Sequence, residues 1–320
     1  MASLWKKDCA VVNTTVNPCN DSPQFSNTAI PFVCLGYPIT YSFGAFDTEG
    51  DSLSYVLIDA MGINGAPIPY VNPYSGTDPI PGITLDPVTG EVNFTLATQG
   101  NWVVVVQVNH WVNGVLAGSI MRDMQFVAYP CTNDPPDPAT GLIQNLSGTA
   151  TQLGPRAIQV CESGNFCFDF AISDPNLPNV LDAFSNIQQN LPGATFTFNG
   201  FNPIMCTVCW TATAGSSGYF PFIVNVDDGA CPIPAFQTYV YEVTVIPGLF
   251  GNVTTTGETC VGTGNGTATA NVTNGSAPYT YAWSTGATTP SITAGVGSYT
   301  VTITDANNCV SPPYTGVITS

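Results

Sequence analysis

Residues 102–112 read Trp-Val-Val-Val-Val-Gln-Val-Asn-His-Trp-Val, a run dominated by β-branched and aromatic side chains. Such residues favour extended strands, and the run ends at Asn113-Gly114, the strongest short signal for a β-hairpin. The only helical candidate, residues 179–191, is weak because prolines lie on both sides of it. We therefore predict an all-β protein built of sandwiches. Comparable strand-like runs, separated by Gly, Pro, Asn and Asp, cover residues 219–226, 237–245 and 298–304.

The charge balance excludes several classes of function. The 320 residues include 4 Lys plus Arg, 21 Asp plus Glu and 1 His, which gives a net charge of −17 at pH 7. Four cations cannot form a surface that follows nucleic-acid phosphates or binds an anionic membrane, so we expect neither partner. No apolar run approaches the length of a membrane span, so we expect no direct membrane insertion.

Catalytic residues are also scarce. The single histidine, His110, is expected at the surface or in a hairpin, which leaves no base for a serine nucleophile. The Asp-Thr-Gly and Asp-Ser-Gly signatures of aspartic proteases do not occur. A pair of carboxylates would suffice for a glycosidase, but no pattern places such a pair in a cleft. We therefore expect no enzymatic activity.

Internal repetition divides the chain into units. Cys19-Asn-Asp-Ser-Pro23 recurs as Cys131-Thr-Asn-Asp-Pro135, and a Val-Cys pair follows each copy. Residues 1–131 and 132–248 are therefore predicted to be two diverged β-sandwiches of one architecture. Residues 249–320 form a third, smaller sandwich. We refer to these as the first, second and third units.

Eleven cysteines in an acidic chain indicate an oxidising, extracellular compartment and disulfides rather than a metal site. Equivalent cysteines of the two copies should make equivalent bridges. An immunoglobulin-like strand order brings the mid-strand cysteines of the second unit together, and the third unit contains only two. The predicted bridges are Cys19–Cys34, Cys131–Cys161, Cys167–Cys209, Cys206–Cys231 and Cys260–Cys309. Cys9 is left over, and Cys34–Cys131 is a rival pairing in the first unit.

Two groups of residues are candidates for binding. Asp47, Glu49 and Asp51 alternate around Gly50, and Ca²⁺ binds oxygen ligands at alternating positions of a tight turn. The alternative is a plain polar turn that keeps the surface soluble. Trp102, Trp210 and Trp283 lie in strand patterns and are expected in the core. The remaining candidates for stacking on sugar rings are Trp111, Tyr70 and Tyr74.

The third unit carries the most specific resemblance to a known family. It reads Gly266-Thr-Ala-Thr-Ala-Asn-Val272, Pro278-Tyr-Thr-Tyr-Ala-Trp-Ser-Thr-Gly286 and Gly297-Ser-Tyr-Thr-Val-Thr-Ile-Thr-Asp-Ala-Asn-Asn-Cys309. These segments resemble the SprB repeat of Bacteroidetes surface proteins, a relative of PKD-type β-sandwiches. The first unit, with Asp47-Thr-Glu-Gly-Asp-Ser-Leu-Ser-Tyr55, resembles cadherin-like and PKD-like modules of large gliding-motility and type IX-secreted proteins.

The resemblance implies tandem immunoglobulin-like (PKD- or cadherin-like) β-sandwiches in a non-enzymatic, extracellular cell-surface adhesin. Its partners would be surface polysaccharide or another extracellular surface, together with neighbouring repeats of a longer polypeptide. Asp47, Glu49 and Asp51 resemble a calcium loop of cadherin-like modules, with Glu49 departing from the pattern. Ser52 resembles an O-glycosylation site of the same phylum. Two alternatives stay open, namely carbohydrate-binding or accessory modules of a secreted hydrolase and a structural filament or sheath subunit.

Overall fold

A computed structural model describes residues 8–12, 21–27, 32–47, 50–62, 65–131, 133–176, 179–230 and 234–320, with only the backbone described for 8–12. Within these ranges the regular structure is β-strand apart from one helical turn, α1 at Ile187–Asn190. The all-β prediction is confirmed. Three clusters of buried apolar side chains follow one another along the chain, one centred in each unit.

The first unit is organised around one long hairpin. Its strands are β1 Asp8–Val12, β2 Gln24–Phe25, β3 Phe32–Cys34, β4 Pro38–Ser42, β5 Ala45–Phe46, β6 Ser52–Leu57, β7 Thr84–Leu85, β8 Glu91–Thr95, β9 Gly100–Val112 and β10 Val115–Tyr129. The main sheet has the order β1-β10-β9-β6, and β3 pairs with β10 in parallel. A second sheet has the order β4-β8-β7, and β2 pairs with β5.

The β9–β10 hairpin turns at Asn113 and Gly114, which have φ of 51° and 77°. Positive φ at both central residues is what a two-residue hairpin turn requires. The two strands pair from Val112↔Val115 to Gly100↔Ala128. Their buried face includes Val104 and Phe126 and packs against the β4-β8-β7 sheet.

The second unit is a sandwich of two sheets. Its strands are β11 Gln144–Gly148, β12 Thr151–Gly154, β13 Ala157–Cys161, β14 Asn165–Ile172, β15 Asp182–Ser185, β16 Thr195–Gly200, β17 Ile204–Thr211, β18 Gly218–Asp227 and β19 Phe236–Ile246. The sheets have the orders β11-β14-β17-β16 and β12-β13-β19-β18-β15. In β14, Phe166, Phe168 and Phe170 alternate with less buried residues and point into the core, as the two-residue period of a strand dictates.

The third unit is smaller. Its strands are β20 Gly251–Thr256, β21 Gly266–Val272, β22 Thr280–Trp283, β23 Ser291–Ala294, β24 Gly297–Thr304 and β25 Tyr314–Ile318. They form the sheets β20-β21-β23 and β22-β24-β25. Trp283 is buried between the sheets, and its indole N–H donates to the carbonyl of Thr289 at 2.8 Å.

One disulfide closes the first unit. Cys34 ends β3 opposite Tyr129 of the parallel neighbour β10, and its sulfur is bonded to Cys131, two residues further along. The prediction of Cys19–Cys34 is therefore wrong, and the rival pairing is the one that forms. Cys19 itself lies outside the described residues.

A second disulfide joins the second unit to the third. Cys161 lies opposite Ile246 of β19, the same position that Cys34 has in the first copy. Two residues beyond Ile246 the chain has Gly248, so the second copy lacks a counterpart of Cys131. Cys161 is instead bonded to Cys309. The prediction of Cys131–Cys161 is therefore wrong, because the equivalent cysteines Cys34 and Cys161 form disulfides with cysteines at non-equivalent positions.

The predicted Cys260–Cys309 bridge is also wrong. Cys260 follows β20 and is an exposed free thiol, whereas Cys309 follows β24 and is buried beside Cys161. Gly251, at the start of β20, contacts Tyr314 and lies near Ile303. Gly257, at its end, approaches Thr319. The two cysteines therefore lie at opposite ends of the sandwich.

The third disulfide lies within one sheet. Cys167 and Cys209 face each other directly across β14 and β17 and are bonded. Cys206, three residues before Cys209, points to the opposite face and is a free thiol in the core. Burial raises its pKa to about 12. The predicted Cys206–Cys231 bridge is therefore wrong, and Cys231 lies outside the described residues.

Candidate functional site

The turn between β5 and β6 holds two of the three predicted calcium ligands. Asp47 follows β5 and Asp51 precedes β6, and Gly50 has the positive φ (79°) that the turn needs. The N–H of Asp51 donates to Asp47 Oδ1 at 3.1 Å, and that of Gly50 donates to the Asp47 carbonyl at 3.3 Å. Glu49 lies outside the described residues. The turn therefore holds both described carboxylates on one side of the loop.

His110 joins these carboxylates and was not predicted there. It lies on β9 of the predicted hairpin, opposite Leu53 of β6, and is 0 % exposed. The hairpin placement is therefore right and the surface alternative is wrong. Its Nε2 is 3.3 Å from Asp51 Oδ2. Single donor atoms of Asp47, Asp51 and His110 all lie within 4.8 Å of one another. The cluster thus offers two carboxylate oxygens and one imidazole nitrogen.

A sequence signal for the position of His110 does exist. In β9 the residues Val104, Val106 and Val108 face the core, and His110 continues the same two-residue period. In the pairing of β6 with β9, His110 lies opposite Leu53, and Asp51 comes two residues before Leu53 in the sequence. Strand parity could therefore have found the buried histidine, but the pairing of β6 required the structure.

The cluster lies at the edge of a cavity of about 320 Å³ between the first and second units. The cavity is lined on one side by Asp47 and Asp51 and on the other by Asn190, Tyr219 and Pro221. The Tyr219 hydroxyl donates to Glu242 Oε2 at 2.8 Å, and burial raises the pKa of Tyr219. A ligand at the Asp47–Asp51 turn would therefore lie at a contact between two units.

Buried polar side chains connect the same two units. The amide of Asn225 donates to Asn27 Oδ1 at 2.8 Å, and the amide of Asn186 donates to Ser26 Oγ at 2.7 Å. The guanidinium of Arg122, itself buried, donates to the Asn27 carbonyl at 2.8 Å. Leaving one partner of a buried hydrogen bond unpaired costs about 1–3 kcal/mol. The Asn225–Asn27 and Asn186–Ser26 contacts therefore stabilise the junction of the two units, and Arg122 positions Asn27 from within the first unit.

A second acidic cluster lies at this junction. Asp174, the counterpart of Asp47 in the second copy, is buried, and its Oδ1 accepts the N–H of Asn176 at 2.7 Å. Burial raises the pKa of the Asp174 carboxyl, and the charge of Asp228 adds to the rise. Asp228 Oδ1 accepts the N–H groups of Ala230 and Ala235 at 3.0 and 2.9 Å. These carboxylates therefore shape the junction loops.

The predicted sugar-stacking residues are separated. Trp111 is partly buried, and its indole N–H donates to Ser54 Oγ at 2.9 Å. Tyr70 and Tyr74 lie elsewhere, beside Trp102, where Tyr74 and Trp102 meet edge to face at 5.2 Å between ring centroids. Trp210 and Trp283 are buried. Ser52, the candidate glycosylation site, is exposed at the start of β6.

Residues 252–288 match the model of the SprB repeat. This part of the third unit is similar to a SprB repeat. The matched segment begins in β20, includes β21 and β22, and carries the buried Trp283. The SprB repeat and the disulfides together indicate an extracellular or cell-surface protein. The described part of the chain contains no helix long and apolar enough to cross a membrane.

No curated protein matches the chain. Over most of its length the chain has only distant likenesses to solved structures. The mouse nectin-like molecule 4 ectodomain (Ig1–Ig3) has 12% identity and a TM-score of 0.25 over 91% of this chain and 97% of that chain. Drosophila N-cadherin EC1-4 has 13% identity and a TM-score of 0.26 over 93% and 74%. An endo-fucoidan hydrolase of glycoside hydrolase family 107 has 11% identity and a TM-score of 0.23 over 72% and 29%.

Proposed function

We propose that this chain is a load-bearing, non-enzymatic segment of a cell-surface adhesin. The observation that carries the proposal is the order of two disulfides along the chain. Cys34–Cys131 closes over about three quarters of the first unit, and Cys161–Cys309 closes over most of the second and third. The SprB repeat supports placement at a cell surface, and gliding motility with type IX secretion is the proposed setting.

The two bridges define a path for tension. A pull on the ends of the chain passes from Cys34 to Cys131 through sulfur, follows residues 131–161, and passes from Cys161 to Cys309 through sulfur. Most residues of the three hydrophobic cores lie inside the two closed loops, so the tension passes through the disulfides and not along the chain within the loops. Adhesion under flow or during movement loads a protein in this way, whereas a catalytic or transport function would gain nothing from it.

The buried contacts between the first and second units support the same function. Asn27 and Asn225 join the units through hydrogen bonds, and Cys161–Cys309 joins the second unit to the third covalently. A segment fixed at both junctions can project a binding surface away from the cell. Force spectroscopy on the chain tethered by its ends tests the proposal, because a load-bearing segment must keep its length under tension.

We further propose that the Asp47–Asp51 turn binds calcium. Two carboxylates held on one side of a glycine turn supply hard oxygen donors of the type that Ca²⁺ prefers. His110 does not fit that preference, because imidazole nitrogen suits Zn²⁺ and similar ions. In the calcium proposal His110 therefore keeps its contact with Asp51, and Asp47 and Asp51 hold the ion.

Metal binding at this turn should stabilise the protein. A ligand present at a hundred times its dissociation constant adds about 2.7 kcal/mol to the free energy of unfolding, so Ca²⁺ should raise the melting temperature by several degrees. Asp51→Asn should abolish the shift, and Asp78→Asn, at an exposed carboxylate elsewhere in the first unit, should leave it intact. An equal Ca²⁺ shift in Asp51→Asn, or a shift with Zn²⁺ alone, would contradict calcium at this turn.

A further inference from the structure

The surface of the third unit carries no charged side chain. Residues 249–320 contain two charged residues, Glu258 and Asp305, and both are buried. Every other charged residue of the chain, whose net charge is −17, lies in the first two units. Like charges keep copies of a protein apart. Two copies of this chain therefore repel each other through the first and second units but can meet through the third.

One end of the third unit lies away from the rest of the chain. Cys309 is bonded to the second unit at one end of the sandwich, and Cys260 lies at the opposite end. The loop that follows β20 and the turn that joins β23 to β24 meet there, since a Cβ at Gly295 would lie 3.3 Å from Glu258 Oε1. Residues 259–265 and Val296 are exposed, and we call their surface the end face.

The carboxylate of Glu258 fixes the shape of the end face. Its Oε2 accepts the N–H of Gly262 and its Oε1 accepts the N–H of Gly264, each at 2.8 Å. The N–H of Thr263 donates to the Cys260 carbonyl at 3.2 Å and closes a turn. The thiol of Cys260 is therefore presented on a loop that is held in place from beneath.

The end face combines a free thiol with exposed valines. Cys260 is exposed and has no disulfide partner among the described residues. Val261, the next residue, is 83 % exposed, and Val296 on the neighbouring turn is 57 % exposed. Grouped apolar side chains on a surface without charge favour contact with another apolar surface. The end face is therefore suited to meeting a surface like itself.

The cysteines in the corresponding loops of the other two units are oxidised. In all three units the N–H of a residue in this loop donates to a carbonyl at or next to the end of the last strand. The donor–acceptor pairs are Leu35–Tyr129, Glu162–Ile246 and Glu258–Thr319, at 3.0, 2.9 and 2.9 Å. Cys34 and Cys161 lie directly before their donors and form disulfides. Cys260, two residues after its donor, is left available to a second chain.

We propose that two copies of this chain join through their end faces and that Cys260 of one copy forms a disulfide with Cys260 of the second copy. In a two-fold symmetric contact the same residue of both copies meets at the axis, so one exposed thiol on each chain suffices. Val261 and Val296 pack against the second copy. The acidic first and second units stay on the outside of the dimer, where their repulsion is weakest.

The disulfide forms by exchange with a low-molecular-weight disulfide, which is the oxidant. The Cys260 thiolate of one copy attacks a sulfur of this disulfide, forms a mixed disulfide and releases one thiolate. The Cys260 thiolate of the second copy then attacks the Cys260 sulfur of the mixed disulfide and releases the other. The two released thiolates take up the two protons that the cysteines lost.

This contact goes beyond the load-bearing function and is independent of it. Cys260 lies within the segment closed by Cys161–Cys309, so its replacement leaves the path of tension unchanged. A failure of the load path would appear in the extension of wild type and Cys260→Ser alike, whatever the result of cross-linking.

Cross-linking of the intact chain by hydroxyethyl disulfide, an uncharged low-molecular-weight disulfide, tests the proposal. Non-reducing denaturing electrophoresis should show a product of twice the 33.5 kDa chain mass. Cys260→Ser should give no such product. Cys206→Ala is the matched control and should cross-link as the wild type does, because the Cys206 thiol is buried in the core of the second unit.

Val261→Lys tests the surface separately from the thiol. It should slow cross-linking about tenfold or more, because like charges that face each other across an interface are strongly unfavourable and the substitution occurs twice in the dimer. Val71→Lys makes the same charge change at a valine of the first unit that is 79 % exposed. It should cross-link at the wild-type rate.

Three results would overturn the proposal. One is a wild-type chain that stays at 33.5 kDa after treatment. Another is a dimer that persists in Cys260→Ser, which would place the contact at a different cysteine. The third is equal cross-linking rates for the wild type and Val261→Lys, which would mean that the thiol reacts without docking of the end faces.

Discussion

A chain pulled by its two ends should gain no length from residues 34–131 or 161–309 until Cys34–Cys131 and Cys161–Cys309 are reduced. The bridges span sequence separations of 97 and 148. Since an extended residue adds at most ~3.3–3.6 Å, reduction under tension should release about 330 Å from the first loop and about 500 Å from the second. Optical-tweezers extension before and after reductant measures both steps.

The chain offers a matched control for this prediction. Cys161→Ser combined with Cys309→Ser should release the longer step without reductant. Cys167→Ser combined with Cys209→Ser removes a bridge that lies wholly inside the second loop, so its extension should stay at the wild-type value. Release of a step as long as either closed loop, about 330 or about 500 Å, from the oxidised wild type would contradict the load path.

Phe222→Ala should strongly destabilise the second unit. Phe222 is 0 % exposed in β18, and its ring is stacked on Tyr241 at 5.2 Å between centroids. Replacing a buried Phe by Ala costs about 3–5 kcal/mol, because transfer energy is lost and a cavity remains. Urea unfolding followed by circular dichroism should show that the variant unfolds at a lower urea concentration than the wild type.

Phe201 of the same unit provides the control, because it is 72 % exposed. Phe201→Ala should change the free energy of unfolding by no more than about 0.5 kcal/mol, the usual range for surface substitutions. Equal urea midpoints for the two variants would show that the core between the sheets of the second unit is not as described.

Local sequence pattern accounts for most of the fold. Alternation in Phe166, Phe168 and Phe170 identifies β14 and its buried face, and Asn113-Gly114 identifies the β9–β10 turn. Both signals are local, since side-chain period and positive φ depend only on neighbouring residues. The same alternation puts Cys206 and Cys209 on opposite faces of β17. Because Cys206 is on the face that points into the core, the alternation by itself argues against a disulfide from Cys206 to a cysteine in a surface loop.

Long-range pairing could not be read from the sequence. Cys34 and Cys161 occupy equivalent positions, but the partner of Cys161 depends on how the third unit is placed against the second. The approach of His110 to Asp51 depends on the pairing of β6 with β9. The grouping of Trp102 with Tyr70 and Tyr74 depends on a long loop whose path follows from tertiary contacts. The candidate residues can be identified from the sequence, but which of them are neighbours in space depends on the topology of the sheets.

The load path depends on which cysteines are joined, and tryptic mapping of the unreduced, alkylated and denatured chain measures this directly. Cleavage after Lys7, Arg122 and Arg156 gives the fragments 8–122, 123–156 and 157–320. A Cys34–Cys131 bridge links the first two fragments and leaves the third separate. Further cleavage after Glu162 and Glu258 should leave 157–162 attached to 259–320 through Cys161–Cys309. Attachment of 123–156 to 157–320, with 8–122 released, would instead mean Cys131–Cys161 and would contradict the account.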